Sequence, residues 1–130
     1  MKKAHILCLL GMFLLLSNVA AQSIPADLIN AFNEGSAQKI APFLGENIEL
    51  VVQNRKKEVS KSTAIQELST FFAQKKVTGF TINHEGKRND SSYIIGTLTT
   101  SGGDYRVNCY FKKGDKEYLI HQIRIDKTNE

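Results

Sequence analysis

Cysteine is nearly absent from this chain: Cys8 and Cys109 are its two in 130 residues, and Cys8 falls inside an N-terminal apolar run. Without that run no internal disulfide can form, so packing must hold the fold. Also missing are a glycine-rich phosphate loop, an internal repeat, a low-complexity tract and any convincing metal-ligand spacing of His, Cys or carboxylate residues. No apolar run reaches the roughly 20 residues that a bilayer core requires. The run that exists, Ile6 to Leu16, follows Lys2 and Lys3 and leads into Ser17, Asn18 and Val19-Ala20-Ala21. Small or slender residues thus stand before a cut after Ala21, the pattern of a secretory signal peptide over residues 1–21. Cys8 lies too near the start, without small residues before it, for lipid attachment. A periplasmic or secreted protein is expected.

A one-signed charge excess is lacking too. Removing Lys2 and Lys3 leaves 15 basic against 13 acidic side chains, a net of +2, over the 109 residues from Gln22 to Glu130. That length supports one domain with a single modest core. Lys56-Lys57, Lys75-Lys76, Lys87-Arg88 and Lys112-Lys113 are scattered over turns and helix ends and read as solvated pairs. A nucleic-acid footprint would gather them on one face with aromatics between, so no nucleic-acid partner is expected.

What is present alternates between helical and strand patterns. Ser23 and Pro25 are helix-start residues, Ile24, Leu28 and Phe32 recur four apart, and Gly35 can end the helix. Ser36 can cap a very short turn carrying Ile40, which Pro42 should bring to a stop near Phe43-Leu44-Gly45. Asn47 to Val52 and Arg55 to Val59 read as a strand pair. Ser60 or Ser62 can cap a helix with Ile65, Leu68, Phe71 and Phe72 on one side and Lys75-Lys76 at its dipole-negative end.

Four strand patterns follow, near Phe80 to Glu85, Ser92 to Thr100, Tyr105 to Lys112 and Glu117 to Asp126. Turns at Lys87-Arg88-Asn89, Gly102-Gly103 and Gly114-Asp115 would pair Ile82 with Ile94, Phe80 with Gly96, Leu98 with Val107, Cys109 with Ile120 and Tyr105 with Arg124. Lys112 would meet Glu117. One face then collects Phe80, Ile82, Ile94, Leu98, Val107, Cys109, Phe111, Tyr118 and Ile120, and a curved antiparallel sheet covered by helices is expected. The other face collects Tyr93, Ile95, Tyr110, Leu119, Ile123 and Ile125, with Arg106, Asn108 and His121 among them. It is too apolar for open water, and a second copy of the same sheet is the simplest cover. A homodimer is therefore expected through Tyr93, Ile95, Tyr110, Leu119, His121 and Ile123, with coverage by the tail or another partner as the alternative.

The element order and the stretches Phe80-Thr81-Ile82-Asn83-His84-Glu85-Gly86, Ile95-Gly96-Thr97-Leu98-Thr99-Thr100 and Ile120-His121-Gln122-Ile123-Arg124-Ile125 resemble the nuclear transport factor 2-like superfamily of cystatin-like α+β folds. Within it the chain is similar to a family of small exported bacterial domains of unknown function. The resemblance spans nearly all of residues 22–130. It implies helices on the inner face of a curved, mainly antiparallel sheet forming a cone, whose mouth often holds a small apolar ligand or an active site. Members that are enzymes use a carboxylate or His base with a Tyr or acid donor. This chain departs from them, since on its expected inner face Asp104 and Asp126 fall at strand ends while Glu85 and Glu117 alternate outward.

Five residues are candidates for the cavity: His84, Tyr105, Tyr118, Gln122 and Arg124. His84 would be the base, although a rim histidine bonded to backbone or water is the commoner case. Tyr105 and Tyr118 could turn hydroxyls inward or simply edge the core. Gln122 and Arg124, with Tyr105 opposite, could hold a carboxylate, or Arg124 could only stack on Tyr105. Cys109 in mid-sheet reads as a buried inert thiol. No metal, cofactor or catalytic residue is expected. The favoured function is non-enzymatic binding of a small apolar or amphipathic molecule, or of a protein partner. An isomerase, dehydratase or hydrolase using His84 and a tyrosine, and a structural dimerisation module of the cell envelope, are the alternatives.

Overall fold

The computed structural model describes residues 24–114 and 117–128. The expected signal peptide, residues 1–21, and the expected cut after Ala21 lie outside the described residues. Among those described, no helix is long and apolar enough to cross a membrane.

Helix α1, Ala26–Glu34, buries Leu28, Ala31 and Phe32 and ends at Gly35. The Gly35 N–H donates to the Phe32 carbonyl and the Ser36 N–H to the Ala31 carbonyl, closing the helix with a left-handed residue at φ 66°. A side chain at Gly35 would also strike Val77, 2.9 Å away. Helix α2, Ala37–Ile40, is capped by Ser36, whose Oγ accepts from the Lys39 N–H. The turning continues as a 3-10 turn over Ala41–Phe43 and stops at Leu44, where the chain becomes extended, as expected from Pro42. A 3-10 turn with Pro in its first positions loses no hydrogen bond to the missing N–H. Strands β1, Leu44–Val52, and β2, Arg55–Ser60, form the expected pair. Ser60 then caps helix α3, Lys61–Lys75, which buries Ala64, Leu68, Phe71 and Phe72.

The meander is β3, Val77–Arg88; β4, Ser91–Thr100; β5, Gly103–Lys113; and β6, Tyr118–Lys127. It joins the first pair in one curved, open six-stranded sheet of order β2-β1-β6-β5-β4-β3. β1 lies parallel to β6, and all other neighbours are antiparallel. The fold is thus the expected α+β arrangement, with the helices packed on the inner face of the sheet.

Tyr105, Val107, Cys109 and Phe111 all point into the core, as the alternation on β5 requires. The pairings themselves are displaced. Leu98 sits opposite Tyr105 and Ile94 opposite Cys109, because the turn is Ser101-Gly102. The β3–β4 turn is Asn89-Asp90, and Phe80 sits opposite Leu98. Lys112 faces Leu119 and Gly114 bonds Glu117; the turn tip at 115–116 lies outside the described residues. Each displacement is by two residues, which leaves every side chain on its own face. Phe80 still fills the space above Gly96, where an added Cβ would come within 2.5 Å of its ring.

Two bulges do change faces. On β6, Tyr110 pairs with Gln122 but Phe111 pairs with Ile120, so His121 is an extra residue. Beyond it the alternation inverts: Ile123 and Ile125 are fully buried and Gln122 and Arg124 turn outward, correcting the expectation for all four. On β3, Ile82 pairs with Gly96 and His84 with Ile95, making Asn83 the extra residue. His84 therefore joins the outer face and Glu85, opposite Ile94, the inner one, again the reverse of strict alternation.

Candidate functional site

The inner face is not filled evenly. At one end Phe32 stacks on Phe80 at 4.8 Å and meets Phe72 edge-on at 6.4 Å, while Phe71 meets Tyr105 at 5.2 Å. These rings close that end. At the other end a cavity of about 760 Å³ opens between the start of α1, the 3-10 turn and the ends of β3 to β6. Ile24, Phe43, Ile94, Phe111 and Tyr118 supply apolar wall, and Glu85, Lys87, Lys113 and Glu117 supply charges of both signs. The size lies within the ~300–1,000 Å³ typical of small-molecule sites. Lys87 holds its ammonium 5.5 Å from the centre of the Tyr118 ring, a cation–π contact that orients both side chains.

Of the five candidate residues, Tyr118 alone lines this mouth. Tyr105 faces inward but lies at the closed end, 1% exposed, with Lys75 rather than an arginine 5.9 Å over its ring. His84 stands outside, 5.7 Å from the Tyr93 ring. Arg124 is outside too and binds Asp126 through Nε at 2.6 Å, and Gln122 lies opposite Tyr110. The residues that strict alternation misses are Glu85, which the Asn83 bulge turns into the mouth, and Glu117, which lines it from just before β6 although strict alternation faces it outward. A hint was present: Asn83-His84 is a polar pair whose members project on one side, and Asn83 Oδ1 accepts from the Thr97 hydroxyl at 2.7 Å.

The outer face carries Tyr93 and Tyr110 with rings 6.3 Å apart, flanked by Ile95 and Leu119. Ile123, expected here, belongs to the core. Asn108 donates weakly to the Tyr110 hydroxyl at 3.4 Å, while its Oδ1 and the His121 Nδ1 are buried with no hydrogen-bond partner. Burial pushes the His121 imidazole below its ordinary value and Lys112 adds to this, against an opposing effect from Glu49. A folded-state value below the unfolded one means that the unfolded chain binds the proton more tightly. Stability is therefore expected to fall as pH drops through about 6.5, and His121→Gln to flatten that dependence. Urea midpoints at about pH 7.5 and 5.5 for both proteins check it, a parallel loss in the two counting against His121 as the source. Cys109 is fully buried and its thiol is pushed far up by that burial, as befits an inert core residue.

Residues 25–126 match the model of a family described as Domain of unknown function (DUF4783). The chain belongs to the DUF4783 family. A DUF4783 protein of Bacteroides ovatus is 50% identical, with 85% of this chain and 100% of that one superposed at a TM-score of 0.81. Another, from Bacteroides fragilis, is 51% identical over 82% of this chain and 100% of its own, at 0.78. At 14% identity, a cystatin-like domain of unknown function from Nostoc punctiforme shares the fold alone, covering 81% of this chain and 73% of its own at 0.64. No curated protein matches. This DUF4783 chain thus has the nuclear transport factor 2-like, cystatin-like fold that its strand motifs resemble.

Proposed function

We infer that the protein binds a small amphipathic molecule in the mouth of the cone without transforming it. The observation that carries this reading is the cavity of about 760 Å³ whose wall is apolar and whose rim is charged. An apolar body would bury against Ile94 and Phe111, and polar groups would meet Glu85, Lys87 or Lys113 at the rim. A reaction needing His84 and Tyr118 together is not assembled, because the sheet lies between them. The signal-peptide pattern of residues 1–21 supports a site of action outside the cytoplasm. The neutral dye N-phenyl-1-naphthylamine is expected to brighten on the protein, and Ser92→Trp, which fills the mouth, to weaken it about tenfold or more. Equal titrations of the two proteins would rule the mouth out.

A second reading is a homodimer through the outer face, favoured by the partnerless Asn108 Oδ1 and His121 Nδ1 beside the Tyr93–Tyr110 pair. A two-fold related copy would supply donors and acceptors and cover Ile95 and Leu119. Native mass spectrometry of the protein cleaved after Ala21 reports subunit count and retained molecules together, and a monomer at every concentration would remove this reading.

A further inference from the structure

We propose that the cleft between the β1–β2 hairpin and α3 is a second binding site, which takes a small carboxylate with an apolar body. The cleft measures about 520 Å³ and shares no lining residue with the cone mouth. Its floor is Leu50, Val52 and Phe71. Its walls carry three cations, Arg55, Lys57 and Lys75, against the single carboxylate of Glu67. Lys57 occupies that carboxylate at 2.9 Å, and Arg55 and Lys75 have no carboxylate partner among the described residues. The pair Lys56-Lys57 is split by the strand: Lys56 goes to Glu49 on the outer side, and Lys57 faces the cleft.

The backbone that carries Arg55 and Lys75 is held in place before any ligand arrives. The two-residue turn Gln53-Asn54, both at positive φ, is tied to β6 by the Gln53 N–H, which donates to the Ile125 carbonyl at 2.8 Å. That fixes where Arg55 leaves the turn. At the other wall the Lys75 carbonyl accepts from the Ser101 N–H and hydroxyl, and its ammonium lies 5.9 Å from the Tyr105 ring centre. Gln53 and Gln74 add amide donors beside them. A planar guanidinium fork and an ammonium over an apolar floor match a carboxylate attached to a hydrocarbon, and the fixed geometry lowers the ordering cost of binding.

The test uses sodium octanoate as probe and octan-1-ol as its uncharged counterpart, followed by ¹H–¹⁵N correlation spectra of the intact protein. Octanoate is expected to shift the amides of Gln53, Arg55, Gln74 and Lys75, with octan-1-ol about tenfold weaker or more. The double substitution Arg55→Gln/Lys75→Gln, at an exposed and a half-buried position, should keep the dispersed spectrum of a folded chain and lose about tenfold in octanoate affinity. Ser92→Trp should leave octanoate binding intact, which separates this site from the mouth. Shifts confined to residues 85–87 and 118, equal response to the alcohol, undiminished binding by the double variant, or no response at all would each overturn the proposal.

Discussion

Ile123→Asp is expected to leave the chain unfolded at neutral pH, while Gln122→Asp, one residue earlier, changes stability by less than about 0.5 kcal/mol. Ile123 is fully buried opposite Cys109, and Gln122 lies on the outer face opposite Tyr110. The substitution forfeits about 2–3 kcal/mol of apolar burial. It also strands a carboxylate in the core at several kcal/mol more, against a total stability for a domain this size of about 5–15 kcal/mol. Because burial raises the carboxyl group's folded-state pKa above about 3.9, the charge part of the penalty grows as pH rises through that value and vanishes below it, leaving the lost burial. The variant should therefore recover ordered structure as the solution is acidified towards about pH 4, measured by circular dichroism beside the parent. If Gln122→Asp were the damaging change and Ile123→Asp the harmless one, β6 would alternate without a bulge.

Phe32→Ala is expected to cost about 3–5 kcal/mol, with the urea midpoint falling and the slope unchanged. Phe32 is fully buried between the Phe80 ring at 4.8 Å and the Phe72 ring at 6.4 Å. The void it leaves cannot collapse easily. Phe80 is pressed against Gly96, where even a methyl group would stand 2.5 Å from its ring and 2.7 Å from the Thr81 carbonyl, and Phe72 is anchored in α3. A cavity that its walls cannot enter costs the transfer energy and the cavity term together. Phe32→Leu, which keeps most of the volume, should lose much less, and similar losses for both would mean that the site repacks.

Much of the fold could be read along the chain because local chemistry announces it. Gly35 closes α1, Ser36 and Ser60 cap the next two helices, and the odd positions from Tyr105 to Phe111 line the core. The cross-strand pairings differ by two residues from those the turn residues suggest, a shift that strand alternation forgives. The bulges at Asn83 and His121 were not forgiven. Each inserts one residue, and one residue exchanges the faces of everything beyond it. The β6 break had a signature, since Ile120 and Ile123 are three apart whereas Ile123 and Ile125 are two apart. Leu119 and His121 obscured it by offering an equally regular apolar series on the wrong face.

Helix caps, turn chemistry and the apolar alternation of β5 were legible from neighbouring residues, so the α+β class and the inward face of the central strand follow from the chain alone. Which carboxylate enters the cone, that Gln122 and Arg124 leave it, and that Arg55 and Lys75 converge across a cleft depend on residues brought together by β1 lying parallel to β6 and by two bulges. Those arrangements are settled by packing between distant segments, which decides between local patterns that fit either face.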